Sequence, residues 1–161
     1  IDDKHKELFQ WYPCEKIILD PDSIIGGIPV TTEEYVEDNE GIGICFETGQ
    51  VDDVSRIAEV GKMTMNLLKH YGFVQGDPEP PEPVEHEVYE LTLRIDLTEA
   101  GWEYSGDYGH KSWEPFDAGT EIGKHGDEPL VPDYDGMVVF PKMPRHRTLG
   151  KPVGYLVKRI K

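Results

Sequence analysis

Gly43-Ile44-Cys45-Phe46-Glu47-Thr48-Gly49-Gln50 places a carboxylate at the end of an apolar run and just ahead of a glycine turn. Ile42, Ile44 and Phe46 alternate with small residues as a buried strand does. That sets Glu47 near the strand's C-terminal end, the rim where open α/β sheets bind ligands. A carboxylate placed against the interior has its pKa raised and can serve as a general acid or base. The plainer reading is a surface glutamate that closes a strand, with a structural partner.

Working outward, Lys16 to Leu19 reads as a short strand stopped by Asp20-Pro21-Asp22, and a glycine-bearing loop runs from Ser23 to Pro29. Thr31 to Glu37 reads as a short helix capped by Thr31 or Thr32, with acids in its first turn that suit the helix dipole. After the glycine turn, Asp52 or Asp53 is a natural cap for a long helix. Val54, Ile57, Ala58, Gly61, Met65 and Leu68 recur there at helical spacing as far as Gly72, a left-handed stop. Met63 and Met65 read as packing residues rather than a metal site.

Composition changes at Gly76-Asp77-Pro78-Glu79-Pro80-Pro81-Glu82-Pro83, where proline alternates with acid and no hydrogen-bonded element persists. Beyond it Val88, Leu91, Leu93, Ile95 and Leu97 follow a mostly two-residue period, and turns such as Asp135-Gly136 and Leu149-Gly150 punctuate the rest. Core strands are expected over Val88 to Ile95, Met137 to Phe140 and Val153 to Lys158. The fold class is α/β plus all-β, with an α/β part over 1–75, a Pro/Glu-rich linker over 76–87 and a small β domain over 88–161.

The chain has 161 residues, 37% of them hydrophobic, enough for one proper core or one modest core with a satellite. A net charge of -16 and a pI near 4.6 repel nucleic acid and anionic lipid, and the apolar runs break before membrane-spanning length. No cationic leader precedes an apolar segment, so secretion is not expected. Ile1-Asp2-Asp3-Lys4-His5-Lys6 reads as the interior of something longer, and the chain as an excised piece. Cys14 and Cys45 lie in segments that read as buried, and as reduced core thiols they suit the cytoplasm.

Three stretches resemble the succinylglutamate desuccinylase and aspartoacylase family of zinc-dependent amide hydrolases, related to zinc carboxypeptidases: Gly43 to Gln50, Val54 to Phe73, and Trp113 to Tyr155. In the last, Trp113-Glu114-Pro115-Phe116, Gly119-Thr120, Gly126-Asp127, Asp135-Gly136, Val138-Val139-Phe140-Pro141 and Gly150-Lys151-Pro152 fall in the family's order. The resemblance implies the C-terminal portion of a zinc-peptidase-like α/β/α sheet followed by a small β-barrel-like domain. It also implies a small N-acyl amine or amino-acid substrate, leaves an oligomer open, and makes Glu47 the base that deprotonates zinc-bound water. In that family a His-x-x-Glu pair and a later histidine hold the zinc.

No His-x-x-Glu precedes Gly43 to Gln50; the one such spacing, His125-Gly126-Asp127-Glu128, falls in a glycine-rich loop of the β part, and His5, His70, His86, His110 and His146 lack the family's ligand spacing. His5 is nearest in order to the family's third ligand but sits among charges like an exposed helix residue. Zinc is therefore expected in the complete parent and not in this piece, which should be inactive alone. The arginine that grips a substrate carboxylate in the aspartoacylase branch is also missing, since Thr31-Thr32-Glu33-Glu34-Tyr35 carries no base. Glu33 and Glu34 read either as amine-binding acids or as decoration of a helix start.

Two alternatives come from other classes. The β region also resembles biotinyl or lipoyl carrier modules, in which Lys124 would be the cofactor-bearing lysine, although Gly123 and His125 are not the usual neighbours. A partner-binding module would use the Pro-Glu linker or the acidic face. Trp102, Tyr104, Tyr108 and Trp113 read as core aromatics of the β domain or as a lid over a cleft.

Overall fold

The computed structural model describes residues 2–25, 31–49 and 54–160. It divides the chain into two compact units, one of Ile1–Glu15 and Ile28–His86, the other of Lys16–Gly27 and Glu87–Lys161.

The first unit is helical. α1 (Asp3–Phe9) is capped by Asp2, whose side chain accepts the His5 N–H. α2 (Thr32–Asp38) starts with a capping box in which Thr31 and Glu34 satisfy each other's backbone N–H groups. A single 3-10 turn, Val54–Arg56, leads into α3 (Ile57–His70), and Gly72 stops it at a φ of +75° as expected. Asp52 and Asp53, the candidate caps, lie outside the described residues, as does Gln50.

Two expectations fail in this unit. Residues 42–49 form no strand. A strand exists only as part of a hydrogen-bonded ladder, and no other described segment of this unit offers one. The α3 stripe that reads as core is turned to solvent as well, with Val54, Ile57 and Met65 exposed at 71%, 67% and 45%. The buried residues of α3 are Met63 and Asn66 instead. Contacts within the unit explain the side chosen. Trp11 lies on His70 with ring centroids 4.6 Å apart, and His70 Nε2 meets Glu7 Oε1 at 2.9 Å. Asn66 Nδ2 donates to Glu79 O at 2.8 Å, and Lys62 pairs with Glu79 at 3.0 Å. The Pro-Glu stretch thus has no regular structure but is pinned along α3 at Glu79.

The second unit holds two sheets. β1 (Lys16–Leu19) pairs in parallel with β2 (Glu87–Asp96), so a strand from inside the 1–75 span joins the β unit. The remaining strands are β3 (Glu103–Tyr104), β4 (Glu114–Phe116), β5 (Gly123–His125), β6 (Glu128–Leu130), β7 (Gly136–Val139) and β8 (Pro152–Arg159). One sheet has the order β1-β2-β8-β7-β4 and the other β3-β5-β6. The described strands therefore form two separate sheets, and the larger has β1 and β4 as its edges. The Leu149-Gly150 turn forms, with Gly150 at a φ of +73°, whereas Gly136 begins β7 rather than closing a turn.

Both faces of the five-stranded sheet are covered. Ile95, Val138, Val153 and Leu156 pack with Trp102, Phe116 and Ile122 in one cluster, while Tyr89, Leu91, Val139, Tyr155 and Val157 form the other. Tyr89, Leu91 and Ile95 share odd numbering, yet they fall on opposite faces. A bulge explains this: β2 advances from Leu91 to Leu93 while β8 steps only from Val157 to Leu156. One extra residue reverses the alternation beyond it, which puts Ile95 on the face opposite Leu91; Leu93 continues the two-residue period and is 36% exposed.

Candidate functional site

Glu47 lies on the irregular 42–49 segment and its side chain is exposed. The segment is held at both ends of its first half. Gly43 N–H donates to Glu37 Oε1 at 2.7 Å, and a side chain at Gly43 would run into the backbone of Glu33. Phe46 packs on Tyr12 with centroids 4.8 Å apart. The Cys45 thiol lies near Glu47, with Sγ 4.0 Å from Oε1. Burial pushes the Cys45 thiol up, and the charges of Glu47 and Glu33 push it further in the same direction, which disfavours the thiolate. Cys45 is exposed and Cys14 half-buried; neither lies in the core as its segment suggests, and both are free thiols.

The histidines are dispersed and mostly engaged. His5 holds Asp2 Oδ1 through Nδ1 at 2.7 Å and Glu37 Oε1 through Nε2 at 2.8 Å. Burial alone would lower its pKa, but the two carboxylates outweigh it and the net shift is upward. Both ring nitrogens are thereby occupied, and Glu37 couples His5 on α1 to the Gly43 amide that starts the Glu47 segment. His86 Nδ1 meets Cys14 O at 2.7 Å, and His125 Nδ1 meets Gly101 O at 2.8 Å. Among the described residues no group of three or more His, Cys, Asp or Glu side chains is arranged to hold a metal ion. The described residues therefore do not fit a zinc ion.

Lys124 sits inside β5, paired on both sides by β3 and β6, with Nζ 3.7 Å from Glu103 Oε2. The hairpin tip is Gly126-Asp127, so Lys124 is not presented at a turn as a carrier lysine has to be. Glu34 belongs to the α2 capping box, which accounts for one of the two acids in the Thr31 to Tyr35 stretch.

The β unit contains a concavity of about 630 Å³ that the motif reading did not anticipate, lined by Tyr104, Tyr108, His110, Met143, Arg145 and Arg147. Trp102 is a core residue, and Trp113 packs on Tyr89 with centroids 5.0 Å apart, so of the four aromatics only Tyr104 and Tyr108 face this space. Burial pushes the Tyr104 hydroxyl up to about 12, keeping it neutral, with Arg147 pulling weakly the other way. The available signal was charge: no acidic residue follows Asp135 in the sequence.

No family model matches this sequence, and no curated protein matches it. Its fold does match solved structures. The succinylglutamate desuccinylase of Vibrio cholerae has a TM-score of 0.71 at 17% identity, covering 95% of this chain and 43% of that one. The Vibrio parahaemolyticus desuccinylase gives 0.64 at 18%, covering 99% and 45%. A succinylglutamate desuccinylase/aspartoacylase from Rhodobacter sphaeroides gives 0.62 at 16%, covering 98% and 50%. At these identities the likeness is one of fold. It falls on the same family as the sequence resemblance, and the chain spans about half the length of these proteins.

Proposed function

We propose that this chain is the C-terminal half of a hydrolase that cleaves a small N-acyl amine or N-acyl amino acid at its amide bond, with Glu47 as the proton carrier. The observation that carries the proposal is the likeness in fold, over nearly the whole chain, to proteins described as succinylglutamate desuccinylases. The exposed apolar stripe of α3 supports it, because such a surface suits a protein in which further chain packs there.

In this reading Glu47 takes the proton of the attacking water as its oxygen bonds to the acyl carbon. It then passes that proton to the amine as the C–N bond breaks, which regenerates the carboxylate. The requirement on the chain is a solvent-reachable carboxylate on a backbone that does not wander. The Glu37 to Gly43 hydrogen bond and the Phe46 to Tyr12 contact support this reading. Zinc supplies carbonyl polarisation and a more acidic water in hydrolases of this kind, and its ligands are proposed to lie outside the present sequence.

The test is amide hydrolysis by the full-length natural protein across a panel of N-acyl amines, with zinc content measured in parallel. Glu47→Gln is expected to lower kcat about 10²- to 10⁴-fold while zinc content stays unchanged. Equal activity of the variant and the parent overturns the role of Glu47. Absence of both zinc and hydrolysis leaves the likeness to desuccinylases as one of fold only, and a mass increment on Lys124 establishes the carrier alternative in its place.

A further inference from the structure

The chain has five arginines in a background of 32 acids and 16 Lys and Arg. With carboxylates in twofold excess, each arginine should find one. Three do: Arg56 with Glu59 at 3.2 Å, Arg94 with Asp96 at 2.7 Å, and Arg159 with Glu87 at 3.0 Å. Arg145 and Arg147 meet no carboxylate among the described residues, and both line the same concavity of the β unit. We propose that this concavity is a binding site for a small organic oxyanion, a carboxylate or phosphate group gripped between Arg145 and Arg147.

The site is preorganised. Arg147 donates from Nε to Lys142 O at 2.9 Å and from Nη1 to Trp102 O at 3.0 Å, and its guanidinium lies 5.5 Å from the Tyr104 ring centroid. Tyr104 is itself anchored, its hydroxyl donating to Val153 O at 2.9 Å. Arg145 stands on the 3-10 turn Pro144–His146, with Nε donating to His146 Nε2 at 3.0 Å. Side chains held this way lose little freedom on binding, which is where preorganised sites gain affinity.

The facing wall is equally fixed. Glu114, a buried carboxylate of this unit, accepts Gly109 N–H at 2.6 Å and Lys111 N–H at 3.2 Å. Its hydrogen bonds thus come from the loop that carries Tyr108 and His110 rather than from the arginines. Gly109 has a φ of +85°, and any side chain there would strike the Tyr104 ring, so glycine is what lets the loop close over Tyr104.

The chemistry follows from the lining. A planar guanidinium matches the two oxygens of a carboxylate or phosphate, and Tyr104, Tyr108 and Met143 provide an apolar wall for a carbon body. The chain's charge of -16 repels anions at long range, so local contacts have to provide the affinity. The proposal does not depend on the hydrolase reading, because every residue in it belongs to the β unit.

Isothermal titration of the full chain at low salt tests it, with succinate as the carboxylate probe and inorganic phosphate as the phosphoryl probe. At least one probe is expected to bind with one-to-one stoichiometry, and the tighter of the two names the head group. Arg145→Gln, at an exposed position, is expected to weaken binding at least tenfold. Arg147→Lys keeps the charge but loses the fork and weakens it too, with amide NMR shifts confined to residues 104–110 and 142–148. Glu47→Gln should leave this binding unchanged, so failure here is separable from failure of the hydrolase reading. Binding of neither probe, or equal binding by the wild type and both arginine variants, overturns the site.

Discussion

His5 shows how much one side chain of this protein does. It joins Asp2, the cap of its own helix, to Glu37 on α2, and Glu37 in turn holds Gly43. The Glu37 carboxyl is held below its ordinary value of 4.5 chiefly by the Gly43 amide, and that of Asp2 is lowered by the His5 backbone N–H. The signs of these shifts define a window. A lowered carboxyl contributes stability that is complete above its unfolded pKa and lost as pH falls through the folded one; a raised histidine contributes stability that is complete below its unfolded pKa and lost as pH rises. The cluster is therefore fully effective between about pH 4.5 and 6.5. Urea unfolding of wild type and His5→Ala should differ most in that interval and converge on either side, whereas a pH-independent difference would mean that His5 acts by packing alone. None of this was visible from His5 in the sequence, where Asp2 is three residues away but Glu37 is thirty-two.

At the level of elements, local and non-local information part company. The α2 cap was readable because all its members lie within three residues: Thr31 and Glu34 form a capping box whatever surrounds them. The long α3 helix was readable from its apolar spacing, yet the side it buries was not, because periodicity names a face without naming what lies against it. This can be measured. Ile57, 67% exposed, should tolerate Ile57→Ala with a change within about 0.5 kcal/mol. Leu156, at 0% exposure in the β core, should lose about 2–5 kcal/mol on Leu156→Ala. A large loss at Ile57 in chemical denaturation would show that the α3 stripe is covered after all. The β2 bulge makes the same point, since one unpaired residue at Thr92 moves Ile95 to the face opposite Leu91, and no alternation rule contains that shift.

Over the whole molecule, acidity dominates: twice as many acids as bases, with the exception of the acid-free stretch beyond Asp135. Like-charge repulsion of this size opposes the compact state, and screening relieves it over a Debye length of about 10 Å at 0.1 M salt. The melting temperature should therefore rise as sodium chloride is added from low ionic strength. A fall would mean that the ion pairs outweigh the net repulsion. The Lys16 to Leu19 strand, the α2 and α3 helices, the all-β character of the chain beyond the proline stretch and the likeness to desuccinylases were legible in the amino-acid sequence, because they rest on composition, short-range periodicity and the order of short motifs. The same reading singled out Glu47 by its place between an apolar run and a glycine turn, but gave the run a strand that the described residues do not form. Folding alone could bring Lys16 to Leu19 beside Glu87 to Glu90, turn the α3 stripe outward, and set Arg145 and Arg147 around one cavity with Tyr104 between residues 105–111 and the 142–148 turn. The physical reason is shared by all three. Hydrogen-bond ladders, buried faces and charge pairs are settled between residues far apart in the chain, and their partners cannot be read from the residues on either side.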